Sequence, residues 1–253
     1  MTRTRAVFIT GASSGIGAAL ARYYAAGGAL LGLVSRRASA LQDLASSLPT
    51  ATSTYPIDVR DGAAMRAAGE DFVARHGCPD IVIANAGVSR GTLTGHRADL
   101  AVFRDVIETN VLGLPNTFHP FVAPMQLRGS GTLIGMASVA GYRGLPGAGA
   151  YCASKAAAIT YMESLRVELR GTGVRSVTIC PGYIDTPMTR GNTYPMPFMI
   201  SADEFARRLD RAVTKGKDYA VIPWQMAIVA RLLHVLPNRV FNMLLAGAPR
   251  KPR

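Results

Sequence analysis

Acidic residues are scarce in this sequence. Its 253 residues carry 16 Asp and Glu against 28 Lys and Arg, a formal charge of +12. Such a balance raises nucleic acid, anionic lipid or a phosphorylated ligand as partners. No basic run gathers the charge, and aromatic side chains do not interleave with it, so no nucleic acid partner is expected. Cysteine is scarce as well. Cys78, Cys152 and Cys180 are the only three and have no Cys-x-x-Cys spacing, which argues against a disulfide framework or a zinc site. His76, His96, His119 and His234 are scattered without ligand spacing, so no metal is expected. No uncharged apolar run reaches the roughly 18 residues of a spanning helix. The first apolar run, Ala6 to Ile9, is too short for the core of a signal peptide. A soluble, cytoplasmic protein in a reducing compartment is the expectation.

The chain is rich in material for a core. Hydrophobic residues make up 49% and charged residues 17%, which excludes a disordered chain. No repeat, low-complexity linker or charge block divides it, so 1–253 reads as a single domain. Short apolar runs at 6–10, 29–35, 53–57, 80–84, 131–136, 175–180 and 219–222 read as strands. Between them, 15–26, 39–47, 62–76, 99–127, 151–170, 201–215 and 225–236 read as helices. The strands are apolar throughout, as strands covered on both faces must be. The alternation predicts an α/β fold, a doubly wound parallel sheet of the Rossmann type with about seven strands. Pro181 to Pro197 holds four prolines and little periodicity, and reads as a loop of functional length.

Between the first strand and the first helix stands Thr10-Gly11-Ala12-Ser13-Ser14-Gly15-Ile16-Gly17. Glycines permit a tight turn and close backbone approach, and a helix N-terminus offers free N–H groups to a pyrophosphate. The spacing is Gly-x-x-x-Gly-x-Gly, not Gly-x-Gly-x-x-Gly. In this form it resembles the cofactor loop of the short-chain dehydrogenase/reductase family. A nicotinamide dinucleotide held by Gly11, Ser13, Ser14, Gly15, Ile16 and Gly17 is what the resemblance implies.

The residues after the second strand bear on which dinucleotide. An acid there would bond the ribose 2′-hydroxyl of NAD(H), whereas an arginine pairs the 2′-phosphate of NADP(H). The sequence has Arg36 and Arg37 and no acid, so NADP(H) is expected over NAD(H). Arg36 is the first choice and Arg37 the second, with Ser13 as a further donor. Asp58, followed by Val59, matches the position where the family contacts the adenine amino group. It serves equally as a helix N-cap, with Asp61 as competitor. Asn85-Ala86-Gly87 resembles the family's Asn-Asn-Ala-Gly, with Ala84 in place of the first Asn. The backbone of Asn85, with Ala86, Gly87, Pro181, Gly182, Ile184 and Thr186, completes the implied cofactor contacts.

Tyr151 and Lys155 share a helix face four residues apart. An ammonium beside a phenol favours phenolate and brings its pKa toward the working range of an acid–base catalyst. Ser138 ends the fifth strand, at the edge where such sheets bind ligands. Asn110 is a poor helix former inside the 99–127 pattern, and Gly113 and Pro115 follow it, so a kink is expected there. Asn110, Ser138, Tyr151 and Lys155 match the family's catalytic positions in order and spacing, and the resemblance runs from Ala6 to about Met188. It implies hydride transfer between NADP(H) and a carbonyl or secondary alcohol. Tyr151 gives the proton and Ser138 polarises the carbonyl. Lys155 supports the phenolate and holds the ribose, and Asn110 anchors a water. It also implies a homodimer or homotetramer, formed through the helix carrying Tyr151 and its predecessor. The alternative is an idle dinucleotide-binding scaffold or sensor on the same fold.

The segment 188–216 reads as a substrate loop and lid helix. Tyr194, Met196, Phe198 and Met199 suit either an apolar substrate or ordinary packing. The segment 224–247 reads as an apolar helical extension broken at Pro237. Arg231, His234, Asn238 and Asn242 form its polar stripe, and Arg250, Lys251 and Arg253 close the chain. It can pack on the sheet, form a dimer contact or make a peripheral membrane contact. The substrate itself is not named by these residues.

Overall fold

The structure, a computed structural model, describes residues 4–192, 194–249 and 251. Arg250 and Arg253 of the basic end and Thr193 of the proline-rich loop lie outside the described residues. The first half runs β1 (Ala6–Thr10), α1 (Gly15–Ala26), β2 (Leu30–Val34), α2 (Ala38–Ser47), β3 (Thr52–Tyr55), α3 (Gly62–His76) and β4 (Ile81–Ala84). There follow α4 (Asp99–Ile107), a π-helical turn (Glu108–Leu112), α5 (Gly113–Arg128), β5 (Gly131–Met136), a short 3-10 turn (Val139–Gly141), α6 (Gly149–Glu168) and β6 (Val174–Pro181). The chain ends with β7 (Ile184–Asp185), α7 (Pro187–Arg190), β8 (Ile200–Ser201), α8 (Ala202–Thr214), β9 (Tyr219–Ile222), α9 (Gln225–Val235) and α10 (Asn238–Leu245).

Seven strands form one parallel sheet in the order β3-β2-β1-β4-β5-β6-β9. The chain winds outward from β1 through β2 and β3, then returns to place β4 on the other side of β1. That reversal opens a crevice at the carboxyl ends of the strands, where ligands bind in such sheets. All residues of β1 are buried, yet they alternate between two cores. Val7 and Ile9 join the layer with α1 and α8, while Phe8 enters the layer with α3, α5 and α6. The Phe8 ring meets Phe72 at 5.4 Å and Phe121 at 4.8 Å between centroids. Emptying that position with Phe8→Ala would cost about 3–5 kcal/mol.

Two elements differ from the sequence expectation, while the kink expected near Asn110 takes the form of a π-helical turn that divides 99–127. The proline-rich loop is partly ordered, since β7 pairs with β8 and the chain between them begins with α7. The lid expected at α8 is a core helix. Phe205, Ala206, Leu209, Ala212 and Val213 recur at helical spacing and are buried, so α8 is held by packing on α1.

In the C-terminal extension, Met226, Ala230 and Phe241 face inward. The opposite side is left bare, with Trp224 63% and Val235 72% exposed. No single helix among the described residues is long and apolar enough to cross a membrane, though the bent α9–α10 pair passes by length and composition.

Candidate active site

The glycine loop is shaped by its neighbours. Gly11 has φ +66°, and a Cβ there would come within 2.8 Å of the Ala86 backbone. A Cβ on Gly17 would strike the Gly11 carbonyl oxygen. Thr10 and Asn85 then lock this loop to the end of β4. Thr10 Oγ1 accepts from the Asn85 and Ala86 N–H groups at 3.1 and 3.2 Å. Asn85 Nδ2 donates to the Thr10 and Gly11 carbonyls at 2.9 and 3.3 Å.

A cavity of about 510 Å³ opens over the loop. Gly11, Ser13, Ser14, Gly15 and Ile16 line it, with Arg36, Arg37, Asp58 and Val59 on one side. Asn85, Ala86, Gly87, Pro181, Gly182, Ile184 and Thr186, expected from the sequence at the cofactor, line it too, and Ser138, Tyr151 and Lys155 join them. Two residues of the expected site do not line it. Gly17 is buried beneath the loop, where only a hydrogen fits against the Gly11 carbonyl. Asn110 is fully buried. Its Oδ1 accepts from Val88 N–H at 2.8 Å, and its Nδ2 donates to the Val88 carbonyl at 2.9 Å and Ser154 Oγ at 3.0 Å. The Asn110 side chain therefore positions the loop after β4 against α6 and does not line the cavity.

The basic edge is ordered. Arg37 Nη2 donates to Ser13 Oγ at 3.0 Å, and Ser35 Oγ donates to the same oxygen at 2.6 Å. Arg36 lies 3.8 Å from the Asp58 carboxylate. Arg60 clasps Asp58 through Nε at 2.9 Å and Nη2 at 2.7 Å. Burial raises the Asp58 pKa, but bonds from Arg60 outweigh it and leave the carboxyl below its ordinary value. The N-cap role belongs to Asp61, which accepts from the N–H groups of Ala63 and Ala64. Asp58 caps nothing and faces the cavity.

Tyr151 is half-buried and Lys155 is buried. Burial pushes the Tyr151 pKa up to about 12, and a hydrogen bond with Ser138 works against it. Burial pulls Lys155 down to about 8. Lys155 Nζ sits 5.8 Å from the Tyr151 ring centroid and donates to the Met136 carbonyl at 2.7 Å. The sequence expectation of an acidified phenol therefore differs from the structure, because desolvation exceeds any help from the neighbouring ammonium. Burial likewise raises Cys180, up to about 11, and its Sγ lies 3.0 Å from the Tyr219 hydroxyl. Tyr219 in turn bonds the Tyr142 hydroxyl at 2.7 Å.

A second cavity, of about 300 Å³, adjoins the first. Ser138, Tyr151, Gly182, Met188 and Thr189 line both. Its outer wall comes from α9 and the end of α10, through residues such as Met226, Val229, Leu233 and Leu245. Of the proline-rich loop, Asn192, Tyr194 and Pro197 reach it, whereas Phe198 and Met199 do not line it and are partly exposed. Sequence reasoning saw the extension but not this wall, because only chain folding brings residues such as Met226 and Leu245 to a cavity that Ser138 also lines.

A parallel sheet with a glycine loop at its switch point, beside a serine–tyrosine–lysine cluster, defines an oxidoreductase of the dinucleotide-fold class. Residues 5–195 match the family model described as short chain dehydrogenase. The chain belongs to that family. It is 38% identical over 241 residues to an uncharacterized oxidoreductase of Myxococcus xanthus, covering 94% of this chain and 95% of the relative. A short chain dehydrogenase/reductase from Burkholderia phymatum, solved in complex with NAD, superposes with a TM-score of 0.81 at 24% identity, covering 99% and 98% of the two chains. A variant of the actinorhodin polyketide ketoreductase, solved with NADPH, superposes with a TM-score of 0.77 at 25% identity, covering 87% and 95%.

Proposed function

We propose that this protein is an NADP(H)-dependent oxidoreductase acting on a carbonyl or secondary alcohol of an apolar substrate. The observation that carries the reading is the shared boundary of the two cavities, where Ser138 and Tyr151 face both. The larger cavity suits a dinucleotide. Its floor is a glycine cradle, since a Cβ on Gly15 would lie 3.2 Å from the Thr186 side chain. The Ser14 side chain makes no capping bond at the N-terminus of α1, which leaves that end for a pyrophosphate. Arg36 and Arg37 at the edge would hold a 2′-phosphate, as they do not suit a bare ribose diol. The related structures include one with NAD and one with NADPH, so this preference rests on the two arginines.

When bound, the dinucleotide would supply or accept the hydride. This chain's own residues do the rest. Ser138 and Tyr151 donate hydrogen bonds to a carbonyl oxygen at the junction and stabilise the charge that develops on it. With its pKa raised by burial, Tyr151 holds its proton through neutral pH, the state needed to protonate the alkoxide. Lys155 would hold the ribose hydroxyls, and Asn110 keeps α6 in register by way of Ser154. The apolar second cavity excludes water from the reacting carbonyl.

The test is a panel of ketones from small to steroid-sized with NADPH and NADH, followed by absorbance, for the wild type and Tyr151→Phe. Reduction that Tyr151→Phe lowers by at least about a hundredfold supports the reading. Dinucleotide binding without turnover of any carbonyl would favour the scaffold alternative.

A homo-oligomer formed through α6 and its predecessor, the α4–α5 span, is supported by Leu100, Phe103, Leu127 and Val167, apolar residues on those helices that lie exposed. Sedimentation of Leu100→Glu/Phe103→Glu should show a smaller species than the wild type. Peripheral lipid contact is favoured by a separate observation. Trp224, Ile228, Leu232 and Val235 recur along one exposed side of α9, with Arg231 and Arg239 exposed nearby. Flotation with anionic liposomes should then be lost in Ile228→Glu/Leu232→Glu.

A further inference from the structure

The second cavity has a charge that reduction of a plain ketone does not require. Its walls are mostly apolar, and among the described residues two cations line it, Arg143 and Lys251, and no Asp or Glu does. The two cations differ in what they face. Arg143 is committed to the backbone between α9 and α10. Its Nη1 donates to the carbonyls of Leu233, His234 and Leu236 at 3.2, 2.9 and 3.0 Å. Its Nη2 donates to Asn238 Oδ1 at 2.7 Å, and the guanidinium lies 4.3 Å from the Phe241 ring centroid. Lys251 has a lighter engagement. An ammonium has three donors, and Lys251 Nζ donates to Asn192 Oδ1 at 3.0 Å, a neutral amide. No carboxylate forms an ion pair with it among the described residues.

A half-buried cation without an anion pays for desolvation without full compensation. The direction of its pKa agrees, since burial lowers it. An anion arriving with the ligand would offset that cost, and among the described residues no Asp or Glu of the lining stands there to repel it. Asn192 and Lys251 come from segments 59 residues apart, so the pair also holds the end of the chain against the substrate loop.

We propose that this cavity takes a carbonyl compound with an apolar body and an anionic group, the carbonyl meeting Ser138 and Tyr151 and the anion meeting Lys251. The inference rests on reading the cavity as the substrate site of the oxidoreductase. Lys251 is then a specificity-determining residue, and neutral ketones of the same length are poorer substrates.

The experiment compares a medium-chain oxo acid with its methyl ester, using the full chain with NADPH. For the wild type, KM for the acid should be about tenfold lower than for the ester, with similar kcat. Lys251→Gln keeps a donor for Asn192 but removes the charge. It should erase the preference by raising KM for the acid alone, whereas Lys251→Arg should retain it. A latch role without anion recognition would shift both substrates together. The proposal is overturned if the wild type shows no preference for the acid, or if Lys251→Gln keeps it. If neither compound is reduced, the oxidoreductase reading is the one that fails. Calorimetric titration of the same acid and ester into the protein then decides the anion site by the same comparison of wild type, Lys251→Gln and Lys251→Arg.

Discussion

Lys155 Nζ donates a 2.7 Å hydrogen bond to the carbonyl oxygen of Met136, the last residue of β5. The bond fixes the ammonium at the sheet edge beside Tyr151, in a site buried enough to bring its pKa from 10.5 to about 8. Below about pH 8 the lysine is charged in the folded and unfolded states alike, and folding carries the full cost of burying the cation. Between about 8 and 10.5 the folded protein has shed a proton that the unfolded chain retains, so this group's contribution to stability rises with pH. Thermal melts of ligand-free wild type and Lys155→Met should show the difference moving in favour of the wild type from about pH 7.5 to 9.5. A difference that stayed constant would mean the ammonium is solvated.

The arginine edge makes a prediction about cofactor choice. Arg37 already bonds Ser13 in the glycine loop, and Arg36 stands beside Asp58. Removing both in Arg36→Ala/Arg37→Ala should raise KM for NADPH by about tenfold or more and leave NADH nearly unchanged. Initial rates against each dinucleotide measure this directly. Equal losses for both would place the arginines on the shared part of the cofactor.

Asn110 should behave as a positioning residue. Asn110→Ala leaves the Val88 N–H and carbonyl without their amide partner, at a cost of about 1–3 kcal/mol. Asn110→Asp keeps the acceptor for Val88 N–H but loses the donor to Val88 and Ser154. Both variants should melt at lower temperature and lose kcat, with KM for substrate changed less. Loss of kcat with no loss of stability would show that Asn110 acts in the chemistry itself.

Arg143 gives a prediction about the substrate wall. Arg143→Ala would strip three carbonyls at the end of α9 of a charged donor. Arg143→Lys cannot reproduce the fork that reaches Asn238 as well. Both should loosen the break at Pro237 and speed proteolysis there. KM for long substrates should rise more than KM for a small ketone. Unchanged cleavage near 237 would show that the helix pair is held by packing alone.

Much of this molecule was written in local sequence. The strand runs and the helical spacings are short-range patterns, and they placed seven strands in one parallel sheet. The glycine loop was legible for the same reason, because a turn from strand to helix is decided within a few residues. Tyr151 and Lys155 were legible as a pair, since α6 puts residues four apart on one face.

What tertiary structure decided were the partners. Asp58 and Asp61 are alike in sequence, and only the start of α3 gives the cap to one and the cavity to the other. The segment 188–216 read as a substrate loop and lid helix, and only the packed structure shows α8 as a core helix lying on α1. Arg143 meets Asn238 across 95 residues of chain, and Lys251 meets Asn192 across 59. Periodicity reports which face of an element is apolar. It carries no information about which distant group a polar side chain will find, because that is settled by how the packed layers exclude water and bring chain ends together.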